Sequence, residues 1–512
     1  MARLHEYQGK AILAANGFKI PRGRAASNAD EAVAAAKELS GEVVIKIQVW
    51  TTGRAGIGGV AFANSPDEVC AHTKRMLSMK VGQFPVEAVL VEEKIDIDRE
   101  FFLSFAIDDA TRAPMIIFAA GGGTGIEERA ASTWRIPCDV NRGPLDSAVD
   151  EAVAGCGLSH AYAKHLTESI RKLFAAARSV EARSLEINPL VFTKAGEFVA
   201  GDCRITIDDY AVARHPELGI EIAREFDHPA TPLERIAYAV EQNDHRGTFY
   251  FGQLATTAPK DSKGLVGFHG AGGGGSMMSM DAIVNAGFTI ANFTDTSGNP
   301  SASKVYRAAR IILAQPDLVG YFGSGSGVAS QEQYWSAYGL AKAFWELDLD
   351  IPAVIRLGGN TEDRAVDILH RMSKRLRAPV EGYRKSDTPA MIAARFAELV
   401  AEGKGAKWKP RLPLVPKFVK NRSGTMLPVK NGRVWIDTAQ WPKIRPLVET
   451  HSGGLIVDRS AAAGPATALP SEEFTTKDSE LLACDVECRL AGVEGFYLEL
   501  DIPGLDQLLA SA

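Results

Sequence analysis

A lysine inside an apolar strand is costly unless something anionic meets it. Lys46 occupies such a place in Val43-Val-Ile-Lys-Ile-Gln-Val-Trp50, and a glycine-rich turn follows at Gly53-Arg-Ala-Gly-Ile-Gly-Gly59. Glycines allow bare backbone N–H groups to approach phosphates, so strand and turn together suggest a lid over a nucleotide. The alternative is a surface hairpin whose lysine snorkels to water. No Gly-Lys-Ser/Thr closes the turn, which sets it apart from a Walker loop. Farther on, Ser184-Leu-Glu-Ile-Asn-Pro-Leu190 and Val199-Ala-Gly-Asp202 place Glu186, Asn188 and Asp202 on two neighbouring strand candidates. Hard oxygen ligands of this kind suit Mg²⁺, which takes one or two protein groups beside substrate phosphates. Glu186 and Asn188, two residues apart, share a strand face. A solvated edge strand with a turn aspartate is the other reading. Between the two segments, Val89-Leu-Val-Glu-Glu-Lys-Ile-Asp-Ile-Asp-Arg-Glu100 is a strand and short connection that could offer backbone groups to a purine and a carboxylate to a ribose. By itself it also reads as a solvated acidic turn.

The elements that must carry these residues are short. To about residue 225, apolar strands at Glu42–Trp50, Ala88–Glu92, Phe101–Ala106 and Met115–Phe118 are followed by a helical run over Ala161–Ala182, a mixed α/β pattern. A polar hinge, Glu225–Pro232, leads to strict alternation: strands at Gly264–Phe268, Thr289–Phe293, Leu318–Phe322 and Ile351–Ile355, with helices at Met277–Ala286, Ser303–Leu313 and Gln331–Leu347. That rhythm predicts a doubly wound parallel sheet with ligands at the carboxyl ends of its strands, where the glycine loops fall. After a proline-spaced linker at Arg411–Pro416 comes a tail with strand candidates Arg433–Asp437, Gly454–Asp458 and Gly495–Leu500, and a loop over Ala461–Ala468. Cys484 and Cys488 read as one apolar face of a further strand, Leu482–Leu490, packed rather than bound to metal. The expected divisions are 1–230, 245–403 and a small C-terminal α/β extension over 420–512.

With 512 residues, 46% of them apolar, the chain exceeds one ordinary core. A net charge of −6 without long like-charge blocks provides no field for nucleic acid or an anionic membrane. Neither partner is expected. The opening residues lack a secretory pattern and no run is long enough to span a bilayer, so a cytoplasmic location is the expectation. Six scattered cysteines form no disulfide framework.

Leu4-His-Glu-Tyr-Gln8, the Lys46 strand with Gly53-Arg54, Leu90-Val-Glu92 with Glu100, Leu185-Glu-Ile-Asn-Pro-Leu190 with Asp202, Gly270-Ala-Gly272, Ala291-Asn-Phe293 and Arg356-Leu-Gly-Gly-Asn360 occur in one order over residues 1–400. In that order the chain resembles the β subunit of succinyl-CoA synthetase. The resemblance implies an ATP-grasp domain followed by a flavodoxin-like CoA-ligase domain, and an NDP-forming carboxylate–CoA ligase that works through an acyl phosphate. It places nucleotide contacts on Lys46, Gly53, Arg54, Ala55, Glu92, Ile95 and Glu100, and Mg²⁺ ligands on Asn188 and Asp202. Glu186 would assist phosphate exchange with a phosphohistidine carried, with the CoA site, by an α-type partner subunit. ATP or GTP, coenzyme A and a small carboxylic acid are the implied co-substrates.

The acid-contacting loops depart from the family. His269 takes the place of an asparagine before Gly-Ala-Gly, and Phe322-Gly-Ser-Gly-Ser-Gly327 replaces Phe-Gly-Gly-Ile-Val, which makes His269, Ser324, Gly325 and Ser326 the substrate-loop candidates. His269 also reads as an ordinary loop histidine. Asp295-Thr-Ser-Gly-Asn-Pro-Ser301 is similar to ATP-citrate lyase, yet Arg356-Leu357 lacks that family's paired arginines. Gly56 stands where the family has lysine, and Ala119–Gly125 lacks the family's acidic residue. Two other readings stay open: a self-contained ATP-grasp carboxylate–amine ligase, and a regulatory subunit that kept the fold without turnover.

Overall fold

The computed structural model describes residues 2–39, 41–51, 53–123, 133–224, 226–242, 249–325, 327 and 331–411, with 433–437, 495–499 and isolated positions between 479 and 490. The chain divides into two compact units, Met1–Ala230 and Thr231–Ala512. In chain order the first contains β1 (Ala2–Arg3), α1 (Glu6–Ala15), β2 (Gly23–Ala26), α2 (Ala29–Glu38), β3 (Val43–Ile47), β4 (Val60–Ala63), α3 (Pro66–Leu77), β5 (Lys80–Val81), β6 (Phe84–Pro85), β7 (Val89–Glu93), β8 (Ile97–Asp108), β9 (Ala113–Ala119), β10 (Thr133–Asp139), β11 (Gly143–Pro144), α4 (Asp146–Ala154), α5 (His160–Ser179), β12 (Ala182–Thr193), β13 (Phe198–Ala200) and β14 (Arg204–Ile207). Among the described residues β2, β7, β3 and β4 form one antiparallel sheet, and β1, β14, β12, β8, β9, β10 and β11 a larger one.

Local signals set these boundaries. Ser65 caps α3 by accepting from the Glu68 N–H, and Pro66 opens the helix where no N–H is needed. Asp67 and Glu68 in its first turn and Lys74 and Arg75 in its last complement the helix dipole. β3 alternates between buried and half-buried positions, and Val43, Ile45 and Ile47 join Ala32, Ala35, Val69, Met76, Val89 and Val91 in one core. This pleat turns Lys46 to the other face.

The second unit contains α6 (Pro232–Gln242), β15 (Tyr250–Gln253), β16 (Leu265–Ala271), α7 (Gly273–Asn285), β17 (Thr289–Asp295), α8 (Ala302–Ile312), β18 (Leu318–Gly325), α9 (Tyr334–Glu346), β19 (Ala353–Arg356), α10 (Glu362–Ser373), β20 (Val380–Tyr383), α11 (Pro389–Glu402) and the strands β21 (Arg433–Asp437) and β22 (Gly495–Glu499). Its sheet order is β15-β17-β16-β18-β19-β20, parallel except at β15. From β17 to β20 this is the flavodoxin order, whose switch point lies between β16 and β18. Both faces of the sheet are covered. Side chains of α8, α9 and α10 pack in one core, and those of α7 and α11 in another.

Two expectations need correction. At its described positions the segment expected as a strand is helical instead: Leu482, Val486 and Leu490, four residues apart, are helical and all three enter the core with α8, α9 and α10. Alternation of small apolar and polar residues concealed that spacing. The described positions of the segment are tied down at two points: Ser303 N–H donates to Ser479 Oγ at 3.4 Å, and Arg375 Nη2 to Leu490 O at 2.9 Å. The second correction concerns the helix expected over Met277–Ala286: α7 begins earlier, at Gly273, so residues 273–276 form its first turn. Cys484, Cys488, the candidates at Gly454–Asp458 and Ala461–Ala468, and most of the linker lie outside the described residues.

Leu482 is fully buried. Leu482→Ala is therefore expected to cost the second unit about 2–5 kcal/mol in denaturant unfolding; a value near zero would mean that the tail does not pack there.

Candidate functional site

Six charged side chains meet in the first unit. Lys46 Nζ lies 2.8 Å from Glu6 Oε1, 2.9 Å from Glu92 Oε2 and 2.9 Å from the Gly201 carbonyl. Lys10 Nζ reaches Glu92 Oε1 at 2.6 Å, Glu6 Oε1 at 2.8 Å and the same carbonyl at 3.0 Å. Arg54 extends Nη1 to Glu6 Oε2 at 2.7 Å and Nη2 to Asp202 Oδ2 at 2.6 Å. Three cations and three carboxylates so close together balance one another, which makes their burial affordable.

Burial and charge set the ionisation of the group. Burial opposes the Glu6 charge, but Lys46, Lys10 and Arg54 overcome it and hold the carboxyl well below the usual range. Burial likewise opposes the Lys46 ammonium, and Glu6, Glu92 and Asp202 raise it above an ordinary lysine. Asp202 moves upward, through burial first and then the nearby Glu6 charge.

The strands bring the other candidates close to this cluster. Asn188 accepts the Gly123 N–H on Oδ1 at 2.8 Å, and Gly201 donates to the Pro189 carbonyl at 2.9 Å, so the Asn188 and Asp202 segments lie side by side. Gly123, at φ 84°, adopts a backbone conformation that favours glycine, and a Cβ built there would lie 2.8 Å from Glu100 Oε2. Glu100 and Asn188 thus meet at one backbone position. Glu186 lies on β12, half-buried like Asn188, between buried Leu185 and Ile187, and pairs across the sheet with Ser104 and Arg204. Gly53, at φ 66°, opens the tight helical turn Arg54–Ile57, and Ala55 sits exposed upon it. Ile95 is half-buried in the connection from β7 to β8. Glu92 is 2% exposed, its carboxylate engaged by two lysines rather than open at the hinge.

Sequence reasoning assigned no role to Glu6 or Lys10, which look like an ordinary helix pair four residues apart. The available signal was their stripe: Glu6, Gly9, Lys10 and Leu13 form the buried face of α1. A Cβ at Gly9 would come within 2.8 Å of Cys203 Sγ, so that face lies tightly against the Asp202 segment.

In the second unit the substrate-loop candidates gather where β16 and β18 end beside α7. Ser324, 2% exposed, shares a hydrogen bond of 2.7 Å with Ser279, and the Gly325 carbonyl accepts from Arg356 Nη1 at 2.9 Å. Asp295 Oδ1 accepts from the N–H groups of Gly272 and Ser297, fixing the neighbouring turn. Ser326 lies outside the described residues, as do Thr124 and Gly125 of the upstream glycine segment. His269 is a strand residue, not a loop residue: it is 6% exposed within β16, its nitrogens facing Tyr321 Oη and, at 3.1 Å, Thr296 Oγ1.

Burial drives the His269 pKa from its ordinary 6.5 down to about 3. The folded state then holds a neutral ring while the unfolded chain takes up a proton between those values. Its contribution is fully present above pH 6.5 and declines by about 1.4 kcal/mol per pH unit below that, until about pH 3. Unfolding of His269→Asn measured from pH 7 to pH 5 should lack this slope; equal slopes in both proteins would show that the histidine does not titrate between the states.

The donor set fits Mg²⁺. Asp202 and Asn188 supply one carboxylate and one amide oxygen, and Asp202 already accepts a cation from Arg54.

Comparison with known proteins places this geometry in context. Residues 3–192 match the ATP-grasp domain family. The chain is 32% identical over 405 residues to the ADP-forming succinate–CoA ligase β subunit of Rubrobacter xylanophilus, covering 78% of this chain and 99% of that protein. It is 34% identical over 371 residues to the GDP-forming β subunit of Thermus thermophilus, covering 72% of this chain and 93% of the relative. Among solved structures, the ATP citrate lyase of Methanothrix soehngenii in complex with citrate and coenzyme A superposes with a TM-score of 0.64 at 18% identity, over 77% of this chain and 99% of that one. An ATP-grasp match on the first unit and full-length relatives above 30% identity establish one conclusion: the chain belongs to the family of succinate–CoA ligase β subunits.

Proposed function

We propose that this chain is the nucleotide-binding subunit of an NDP-forming ligase that joins a small carboxylic acid to coenzyme A with an α-type partner. The observation that carries this reading is the meeting of Lys46, Arg54 and Asp202 around one buried carboxylate, beside Asn188. Lys46, Arg54 and the backbone of Gly53–Ala55 would take the phosphates, Ile95 the purine edge and Glu100 the ribose, while Glu92, its carboxylate held by Lys10 and Lys46, would contribute through its backbone. Asn188 and Asp202 would hold Mg²⁺, which when bound neutralises phosphate charge.

A carboxylate is a poor acyl donor until one of its oxygens becomes a good leaving group, and phosphorylation achieves that. Fixed positive groups aimed at the transferring phosphoryl lower the barrier because they need not reorganise. Glu186, on the strand that carries Asn188, would steer the accepting phosphohistidine of the partner. In the second unit Ser324 and Gly325, near the start of α7, would contact the acid together with Ser326, with His269 supporting them from within β16. Mg²⁺, ATP or GTP, and CoA are the required small molecules. The relatives bear the name succinate–CoA ligase, and the altered loops make the acid the point of greatest divergence. Among the described residues no helix is long and apolar enough to cross a membrane, and a cytoplasmic setting, without nucleic acid, is part of the proposal. The domain divisions 1–230, 245–403 and 420–512 belong to it as well.

The test is a carboxylate screen for CoA- and Mg²⁺-dependent ADP or GDP release with the purified chain, with and without its partner. Thioester should form only with both subunits. Synthesis by the single chain, or release that depends on an amine rather than CoA, would overturn the assignment.

A further inference from the structure

We propose that Glu6 is a positioning residue for the phosphate-binding cations, anchoring Lys46 and Arg54 in both the empty and the nucleotide-loaded site. The proposal deepens the nucleotide reading above and rests on it.

Glu6 contacts all three cations of the cluster: Oε1 lies 2.8 Å from both Lys46 and Lys10, and Oε2 lies 2.7 Å from Arg54. It joins two residues 8 apart on different elements, Lys46 on β3 and Arg54 on the turn that follows. A flexible lysine and a glycine-flanked arginine would otherwise sample many rotamers, and ordering them costs entropy at the moment of binding. A shared buried carboxylate removes that cost in advance.

The partners of Arg54 differ in a way that matters. The Glu6 side chain is 2% exposed and that of Asp202 35%. A charge that water cannot reach must keep its counter-ions, whereas the wetter one can exchange them. Asp202, as the wetter partner, would be the one to give up Nη2 of Arg54 if it held Mg²⁺, leaving that donor for phosphate. Nη1 stays on Glu6. Lys46 has a similar constraint, because its ammonium donates to Glu6 and the Gly201 carbonyl and lies 2.9 Å from Glu92. One of these contacts must be shared with phosphate, and Glu6 holds the ammonium near its place while that happens.

A simple Glu6→Gln change strands buried cations and risks the fold. Glu6→Gln combined with Lys10→Met removes one acid and one base from the same cluster and keeps it neutral. Binding of Mg²⁺–ATP, Mg²⁺–ADP and AMP to full-length protein is measured by calorimetry for wild type, Lys10→Met and the double variant, with GTP, GDP and GMP as the parallel series. Against Lys10→Met, the double variant should bind the triphosphate at least tenfold more weakly and the monophosphate within about threefold, because only the phosphate cations have lost their anchor. Equal loss across tri-, di- and monophosphate would indicate general structural damage and overturn the proposal, as would no loss at all. Glu6→Asp, which keeps the charge and shortens its reach, provides a second test: triphosphate affinity should fall about fivefold, and affinity equal to wild type would contradict the assignment. Wild-type protein that binds none of these nucleotides would defeat the underlying reading, and is distinguished by appearing before any substitution is made.

Discussion

Lys46→Met should weaken Mg²⁺–nucleotide binding by about thirtyfold or more while the protein remains folded. Truncating one member of a desolvated charge pair at a binding site costs about 2–5 kcal/mol, and each 1.4 kcal/mol is a factor of ten in affinity. Lys10 remains beside Glu92, and Arg54 beside Glu6, so the two carboxylates that Lys46 touches each keep a neighbouring cation. That residual pairing separates binding from folding. Calorimetric titration alongside thermal unfolding reads both quantities, and equal affinity in both proteins with similar unfolding would remove Lys46 from the nucleotide site.

Asp202→Asn is the second large effect. The amide keeps the size and one acceptor oxygen but loses the charge that a hard divalent cation prefers. Turnover with the partner should fall by about 10²–10³, the usual consequence of removing one electrostatic contributor to charge transfer. The metal dependence carries the distinction: the Mg²⁺ concentration for half-maximal activity should rise, and Mn²⁺ should not restore the wild-type rate. Unchanged Mg²⁺ dependence would mean that Asp202 serves Arg54 alone.

Much of the scaffold was legible because its periods are strong. The doubly wound unit declares itself through buried runs such as Leu265–Ala271 and Leu318–Gly325, which only a sheet covered on both faces requires. Lys46 was legible for the opposite reason, as a charge in an apolar strand that must have an anion. Glu6 and Lys10 were not, since a Glu and Lys four apart usually lie on a wet helix face, and their burial depends on how α1 meets the Asp202 segment. His269 misled in a related way: glycines on its C-terminal side suggested a loop, whereas the strand continues to Ala271 and the ring is held by Tyr321 and Thr296. The helical state of Leu482, Val486 and Leu490 was hidden because four-residue spacing and two-residue alternation coincide over so short a segment. Burial against α8–α10 decides between them, and local sequence does not carry that information.

The most direct measurement is an isothermal titration of the purified full-length chain, without partner, with Mg²⁺–ATP and Mg²⁺–GTP in the presence and absence of the cation. The expected result is one nucleotide per chain, with affinity that drops sharply when Mg²⁺ is chelated and drops again in Lys46→Met. No binding of either triphosphate, or binding indifferent to both the metal and Lys46, would contradict the account.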